Sequence, residues 1–494
     1  MLTQRNFGFL VGFVNELADQ IMDLESTVFE SKLLLEARAY LKLAVPYTIT
    51  QLSEAIITFV DTVMIGLLGS EALAAAALGV VNFFTLLFLS KGVLETVSVF
   101  AAEAFGAEKP EQVKRITSQG IWLGFAIAVP MMLIVWHLDV VLLLIGQDES
   151  LVLLAKPYLQ AVVWSFPAAM GFVVLEEVGA AIGRPQWMTG IVVAGGVLNG
   201  VADYLLLFGK FGLPALGLAG IGWATTLGYW FCFIAAAGLF LFHPNFRKYN
   251  FFPSLNQFDK ALLVEILKTG WPLGLQYGIE MGMFSVTALL MGYFGSALLA
   301  AHEITITTLE LSITVPLGFS YATAIRVGQL IGQKDFRGVK RSGFVSVSLG
   351  IMASLLISLV FWLFPDQIAA LYLDINNPSN IEEIDAAISL IRIAGIFQLV
   401  FGIQMITMGA LVGLKDTLIP TLITVVCYWA VGLGGGYLIG FTLEQEGVGL
   451  WWGLTLGMTL AAVMLVWRFF RLISAAIDEH EAQELQLKDK RLVA

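Results

Sequence analysis

Long apolar stretches recur along this chain, separated by short polar gaps. A helix needs roughly 20 predominantly apolar residues to cross a bilayer. Stretches of that length fall at approximately 41–66, 75–102, 118–145, 154–182, 187–208, 215–243, 265–293, 298–325, 340–365, 385–412, 418–441 and 449–472. All twelve are predicted to be transmembrane helices, so the expected fold class is an all-α membrane protein.

The pattern repeats itself. A shift of 226 residues aligns Pro46 with Pro272, Glu54 with Glu280, Gly66 with Gly292 and Gly69 with Gly295. The same register carries Gly92 onto Gly318, and Gly106, Lys114 and Arg115 onto Gly332, Lys340 and Arg341. A shift of 230 pairs Gly179, Ala180 and Gly183 with Gly409, Ala410 and Gly413, and one of 229 pairs Trp223 and Thr226 with Trp452 and Thr455. The chain therefore reads as two six-helix repeats. An even number of spans per repeat makes the two parallel, related by an axis along the membrane normal, and a cavity between two such bundles can face alternate sides as they rock. The expected division is an amphipathic N-terminal extension 1–37, an N-lobe 38–243, a linker 244–262, a C-lobe 263–472 and a tail 473–494.

Basic residues sort by side. Lys109, Lys114, Arg115, Arg184, Arg247, Lys248, Lys334, Arg337, Lys340, Arg341 and Lys415 all follow even-numbered spans, and Lys210 is a minor exception. The positive-inside rule then places both termini in the cytoplasm and the protein in the plasma (inner) membrane.

Composition agrees. Of 494 residues 58% are hydrophobic and 13% charged, where soluble domains carry about a quarter. The net charge of -11 reflects many acids in the N-terminal arm and the tail, so it points to no basic partner and says nothing of the substrate; no nucleic-acid partner is expected. Cys232 and Cys427 both lie in apolar stretches without CxxC spacing, which predicts buried thiols and neither a disulfide framework nor a zinc site. No GxxxxGK[ST] phosphate loop, HExxH motif or GxSxG elbow stands on the spans, so neither an ATP-driven pump nor an enzyme is expected, and no cofactor.

An ionisable side chain at mid-membrane costs about 2.5 to 3.5 kcal/mol and needs a partner or a watery cavity. Glu54 and Asp61, seven apart on the first span, project from nearly one face. Asn199 and Asp203 share a face of the fifth at i and i+4. Brought together, Asp61, Asn199 and Asp203 would offer hard oxygen ligands to a sodium ion, and would equally hold a proton; Asn199 and Asp203 could instead simply bond neighbouring helices. Glu280, the repeat mate of Glu54, stands near Tyr277, Met281 and Phe284. These three, with Gln51 and Glu54, are the candidate lining of a substrate cavity. Glu95, Glu176, Glu177 and Glu310 are further intramembrane acids with no partner evident from spacing.

Phe59-Val60-Asp61-Thr62-Val63-Met64-Ile65-Gly66 resembles the first-helix motif of the multidrug and toxic compound extrusion (MATE) family. Gly209 to Gly212 with Pro214, Leu216, Gly217 and Ala224-Thr225, and Ile325-Arg326-Val327-Gly328, are similar to its NorM-like branch. The resemblance implies a V-shaped, two-lobed, twelve-helix bundle that antiports lipophilic or cationic small molecules against inward H+ or Na+. It further implies a cation site at Asp61, Asn199 and Asp203 with Thr225 as a fourth member, and a coupling role for Glu280. Where related chains carry an acid in the tenth helix, this one has Phe401 before Gly402, which moves the expected coupling to the N-lobe. A flippase of lipid or lipid-linked sugar is the alternative of related architecture; it would need a basic cavity for pyrophosphate. An internally duplicated pore points to a monomer.

Overall fold

The computed structural model describes residues 2–374 and 377–493, with side chains from residue 31 onward apart from 379, 484 and 487–493. Among the described residues twelve long helices follow one another: α1 Leu2–Gly66, α2 Ser70–Gly106, α3 Pro110–Trp136, α4 Glu149–Ala181, α5 Pro185–Phe208 and α6 Leu218–Phe242 build one lobe. The other contains α7 Lys260–Tyr293, α8 Ser296–Gly332, α9 Phe336–Leu363, α10 Ile381–Gly413, α11 Leu418–Thr442 and α12 Glu446–Val493. No strand occurs among the described residues. The amphipathic face expected for residues 1–37 falls mostly on side chains outside the described set.

Eleven of the twelve are long and apolar enough to cross a membrane. The exception is α7, which at 34 residues has ample length but carries Glu265, Lys268, Gln276 and Glu280. That dilution of apolar character has a structural reason: α7 lies in the seam between the lobes. The third span ends sooner than expected. The chain breaks at His137, and a separate short helix, Leu138–Leu144, leads to Asp148, whose carboxylate caps α4 by accepting from the backbone N–H groups of Ser150 and Leu151. Hydrogen bonds from the Ser150 hydroxyl and backbone hold that carboxyl below its ordinary range. In α11 the backbone widens into π-helix over Val426–Leu433 and Leu438–Thr442, whereas its repeat mate α5 is regular.

The duplication survives in backbone geometry. Gly69 and Gly295 precede α2 and α8 with φ of 107° and 120°, a region closed to side-chain-bearing residues. Glu108 and Lys334, again 334 − 108 = 226 apart, follow these two helices with φ of 57° and 60°.

The lobes meet at one end only. A Cβ on Gly106 would fall 2.0 Å from the carbonyl oxygen of Gln329, and one on Gly332 would fall 2.0 Å from that of Glu103. Helices α2 and α8 thus cross backbone to backbone, the close approach that small residues permit inside membranes. Around this crossing Arg326 grips Glu36 in a two-pronged ion pair (2.7 and 2.8 Å), Gln329 donates to the Ala181 carbonyl, and Lys415 pairs with Glu103 at 2.6 Å. Val99, Leu273, Val327 and Leu330 pack into one apolar cluster across the seam. The linker is stapled to α3: Ser118, Gln119 and Trp122 donate to the carbonyls of Ser254, Gln257 and Leu255, and Arg115 pairs with Asp259. Among the described residues, no hydrogen bond or ion pair joins the lobes between residues 50–86 and 280–314. The bundle is a V, closed at the end that holds the linker and open at the other.

This crossing is testable. The Gly328 Cβ position lies 3.1 Å from the Ala102 Cβ, close to the roughly 3.5–4.5 Å of a disulfide. With the two buried native thiols removed (Cys232→Ala, Cys427→Ala), the pair Ala102→Cys and Gly328→Cys is expected to cross-link on mild oxidation, visible as a gel shift reversed by reductant. Adding Gly332→Val, which cannot occupy the crossing, is expected to lower the yield several-fold. Equal yields would mean that the backbones do not touch there.

Candidate functional site

In the first lobe, α1, α5 and α6 bring together the polar residues that spacing had singled out. Asn199 and Asp203 stand one turn apart on α5 and face Asp61 on α1, all three buried. With the Asn199 amide oriented to suit both neighbours, its Nδ2 donates to Asp61 Oδ1 at 3.1 Å and its oxygen accepts from the Thr225 backbone N–H at 3.2 Å. The carboxyls of Asp61 and Asp203 lie within hydrogen-bonding reach of each other. Asp203 is 0% exposed, yet its Oδ1 has no partner. The Thr225 hydroxyl turns away to the Ile221 carbonyl at 3.0 Å, so Thr225 meets Asn199 through its backbone.

Two anionic carboxyls this close repel strongly in a low dielectric, so the pair calls for one positive charge between them. Its atoms suit a shared proton, or one sodium ion whose remaining ligands are neutral oxygens. Among the described residues no group of three His, Cys, Asp or Glu side chains forms a metal cluster.

At the foot of the V lies a second polar region. Glu54 pairs with Lys91 of α2 at 3.2 Å, with side-chain exposures of 34% and 10%. Lys91 also feels Glu176 and Glu177 on α4, and Glu177 accepts from the Tyr47 hydroxyl at 3.2 Å. Glu95, one turn along from Lys91, accepts from Tyr277 of α7 at 3.2 Å, and Tyr277 meets Tyr321 of α8 at 3.1 Å. Lys91 is not among the residues that acidity inside an apolar stretch singles out. Its signal was available, since a lysine inside an apolar stretch of this length is itself anomalous.

Glu280 is buried in the second lobe. Among its predicted companions, Tyr277 sits in the lobe seam and Phe284 packs edge-on to Phe397, while Met281 is exposed, off the buried stripe formed by Glu280, Met283, Thr287 and Met291. Gln51 is buried near Glu54 on α1. Phe401 is stacked on Phe397 with ring centres 5.9 Å apart, so the expected absence of an acid there is filled by an aromatic pair. The repeat did not copy the carboxyl pair. Thr189 and Thr421 donate alike to the carbonyls of Pro46 and Pro272, an offset of 421 − 189 = 232, and at that offset Asn199 and Asp203 correspond to Val431 and Gly435.

Comparison with known proteins gives a consistent picture. The family model described as MatE matches residues 46–205 and 272–438. The probable multidrug resistance protein NorM of Synechococcus sp. is 36% identical over 437 residues, covering 88% of this chain and 94% of that protein. Its namesake in Synechocystis sp. is 35% identical over 434 residues, with the same coverage. Among solved structures, the outward-facing conformation of a multidrug resistance MATE family transporter of the MOP superfamily superposes with a TM-score of 0.81 at 21% identity, covering 89% of this chain and 96% of that one.

The Lys91–Glu54 pair generates a stability prediction. Lys91→Met leaves the surrounding carboxylates without their cation and is expected to destabilise by about 1–3 kcal/mol, less than a fully buried pair because Glu54 is partly wet. Thermal unfolding in detergent measures this. Glu54→Gln added to Lys91→Met is expected to recover part of the loss, and additive losses would show that the two side chains are not coupled.

Proposed function

This chain belongs to the MatE family, and we propose that it is a secondary antiporter that drives lipophilic or cationic compounds out of the cytoplasm against inward H+ or Na+. The observation that carries the reading is the Asp61–Asp203 pair, two facing carboxyls buried in one lobe of a V, with one oxygen left without a partner. On this reading, a cation arriving from the open end is shared by the two carboxyls and relieves their mutual repulsion, the helix bearing Asp61 repacks, and affinity for the exported compound falls. Pro46 interrupts the hydrogen-bond ladder of α1 between its anchor at Glu36 and Asp61, which supports bending there. Export and cation uptake would alternate as the closed end opens and the open end closes. A membrane potential supplies about 2.3 kcal/mol per charge per 100 mV, so one cation per cycle can sustain a substantial gradient. The basic loops at the closed end support placing that end, and both termini, in the cytoplasm of the plasma membrane.

The pocket chemistry disfavours a flippase for lipid-linked sugars. Glu54, Glu95, Glu176, Glu177 and Glu280 lie around the foot of the cleft and the lobe seam, and Asp61 and Asp203 inside the first lobe, against Lys91 alone among these clusters, so a pyrophosphate would meet the wrong sign of charge.

Proteoliposomes loaded with a fluorescent lipophilic cation test the proposal. A proton gradient or a sodium gradient, imposed separately, is expected to drive efflux, and the effective one names the coupling ion. Asp203→Asn is expected to reduce gradient-driven efflux at least about tenfold, a change of roughly 1.4 kcal/mol in the driven step. Efflux indifferent to both gradients in the unaltered protein would rule out antiport.

A further inference from the structure

Among the described residues Lys91 is the one buried lysine or arginine, and it lies outside the Asp61–Asp203 pair. It stands on α2 at the foot of the cleft, within a long apolar stretch. The backbone at its root is pinned, since a Cβ on neighbouring Gly92 would fall 3.0 Å from the Gly274 Cα of α7. The arm beyond that root is a flexible four-carbon stem. Its ammonium straddles the Glu54 carboxylate, donating to both oxygens at 3.2 Å. That grip is loose, for Lys156 and Lys415 hold Asp139 and Glu103 at 2.8 and 2.6 Å. The partners are also unequally wet: the Glu54 side chain is 34% exposed and that of Lys91 10%. Glu54 is therefore the acid of this cluster that a compound in the cleft can reach, because Glu95, Glu176 and Glu177 are all buried.

We propose that Lys91 is a tethered counterion for Glu54, an internal stand-in for the cationic group of an exported compound, and that it thereby sets how strongly the protein prefers cations. This deepens the export reading and rests on it. A carboxylate inside the membrane is costly without a partner, so Glu54 needs a positive charge whether or not the cleft is loaded. Lys91 supplies that charge in the empty protein. A lipophilic cation that reaches Glu54 takes over the task and releases the ammonium, on which the charges of Glu176 and Glu177 of α4 also act. The carboxylate is bare in neither state. The exchange weakens binding, because a short flexible tether presents the ammonium at an effective concentration on the order of millimolar, which the compound has to outcompete. An uncharged compound does not compete for Glu54 and is indifferent to Lys91.

Equilibrium binding in nanodiscs, with no ion gradient, tests this with tetraphenylphosphonium, a lipophilic monocation, and triphenylphosphine oxide, its uncharged relative. Lys91→Met is expected to bind the cation about 5- to 150-fold more tightly than the unaltered protein, the usual range of coupling between two ligands. The oxide is expected to gain nothing. Lys91→Arg is expected to keep the weaker binding, Glu54→Gln to bind the cation more weakly still, and Lys91→Met with Glu54→Gln to lose the gain. A lysine that only supports the fold predicts instead that Lys91→Met weakens both compounds. Cation binding no tighter in Lys91→Met, a gain shared by the oxide, or a gain kept without Glu54 each overturns the proposal. Should Lys91→Met not unfold cooperatively, Glu54→Gln decides alone, and an unchanged cation affinity there overturns it. Saturable binding in the unaltered protein that ignores Lys91→Met removes the tethered counterion and leaves the export reading standing. No saturable cation binding in any of these proteins counts against export of cations itself, and the role of Lys91 falls with it.

Discussion

The V depends on one close approach. Where α2 crosses α8, the carbonyl oxygens of Glu103 and Gln329 occupy the places that side chains on Gly332 and Gly106 would need. Lipid tails are as apolar as leucine, so no hydrophobic force pulls the two lobes together within the membrane. Contact has to come from backbones lying against each other and from polar groups that find partners across the seam. The Glu36–Arg326 pair, the Gln329–Ala181 bond and the Lys415–Glu103 pair cluster around those glycines for this reason. Further along, the Tyr277–Glu95 bond still joins the seam, and beyond it, among the described residues, no hydrogen bond or ion pair links residues 50–86 to 280–314, so the lobes diverge.

The same economy of partners explains where the ionisable groups sit. The acids inside the membrane face other helices: buried Asp61 faces α5, half-buried Glu54 faces α2, and buried Glu177 and Glu95 face α1 and α7. A charge in hydrocarbon is costly, and a seam between helices is where its partners can be assembled. The result is a carboxyl pair inside one lobe and a lysine-centred cluster at the foot of the cleft.

Much of this was legible in the sequence, for identifiable reasons. The 226-residue offset that joins Gly69 to Gly295 on paper joins them again through matching left-handed backbone, because a tight turn admits few residues and the duplication kept them. Asn199 and Asp203 were placed on one face by helical periodicity alone, and the resemblance supplied their meeting with Asp61. Thr225, which the resemblance implies as a fourth member, meets Asn199 through its backbone N–H, since a hydroxyl inside a helix has its own carbonyl one turn back as a competing acceptor. The partners of Glu95 and Glu177 were out of reach: Tyr277 is 182 residues from the first and Tyr47 is 130 from the second, and no local spacing encodes such pairings. The break at His137 was hidden because apolar residues continue through it into Leu138–Leu144.

The linker bears on how the lobes can move. Residues 254–259 lie along α3, tied by Ser118, Gln119, Trp122 and Arg115, and α7 begins at Lys260. Almost no slack is left between the strap and the helix it delivers, since one residue of extended chain reaches only about 3.5 Å. In mechanical terms the connection is a pivot: it suppresses sliding of one lobe past the other and leaves rotation about the strapped end as the soft coordinate. A small angular change at that pivot is amplified along helices about 50 Å long, so a modest rearrangement at the seam becomes a wide opening or closing at the far rim.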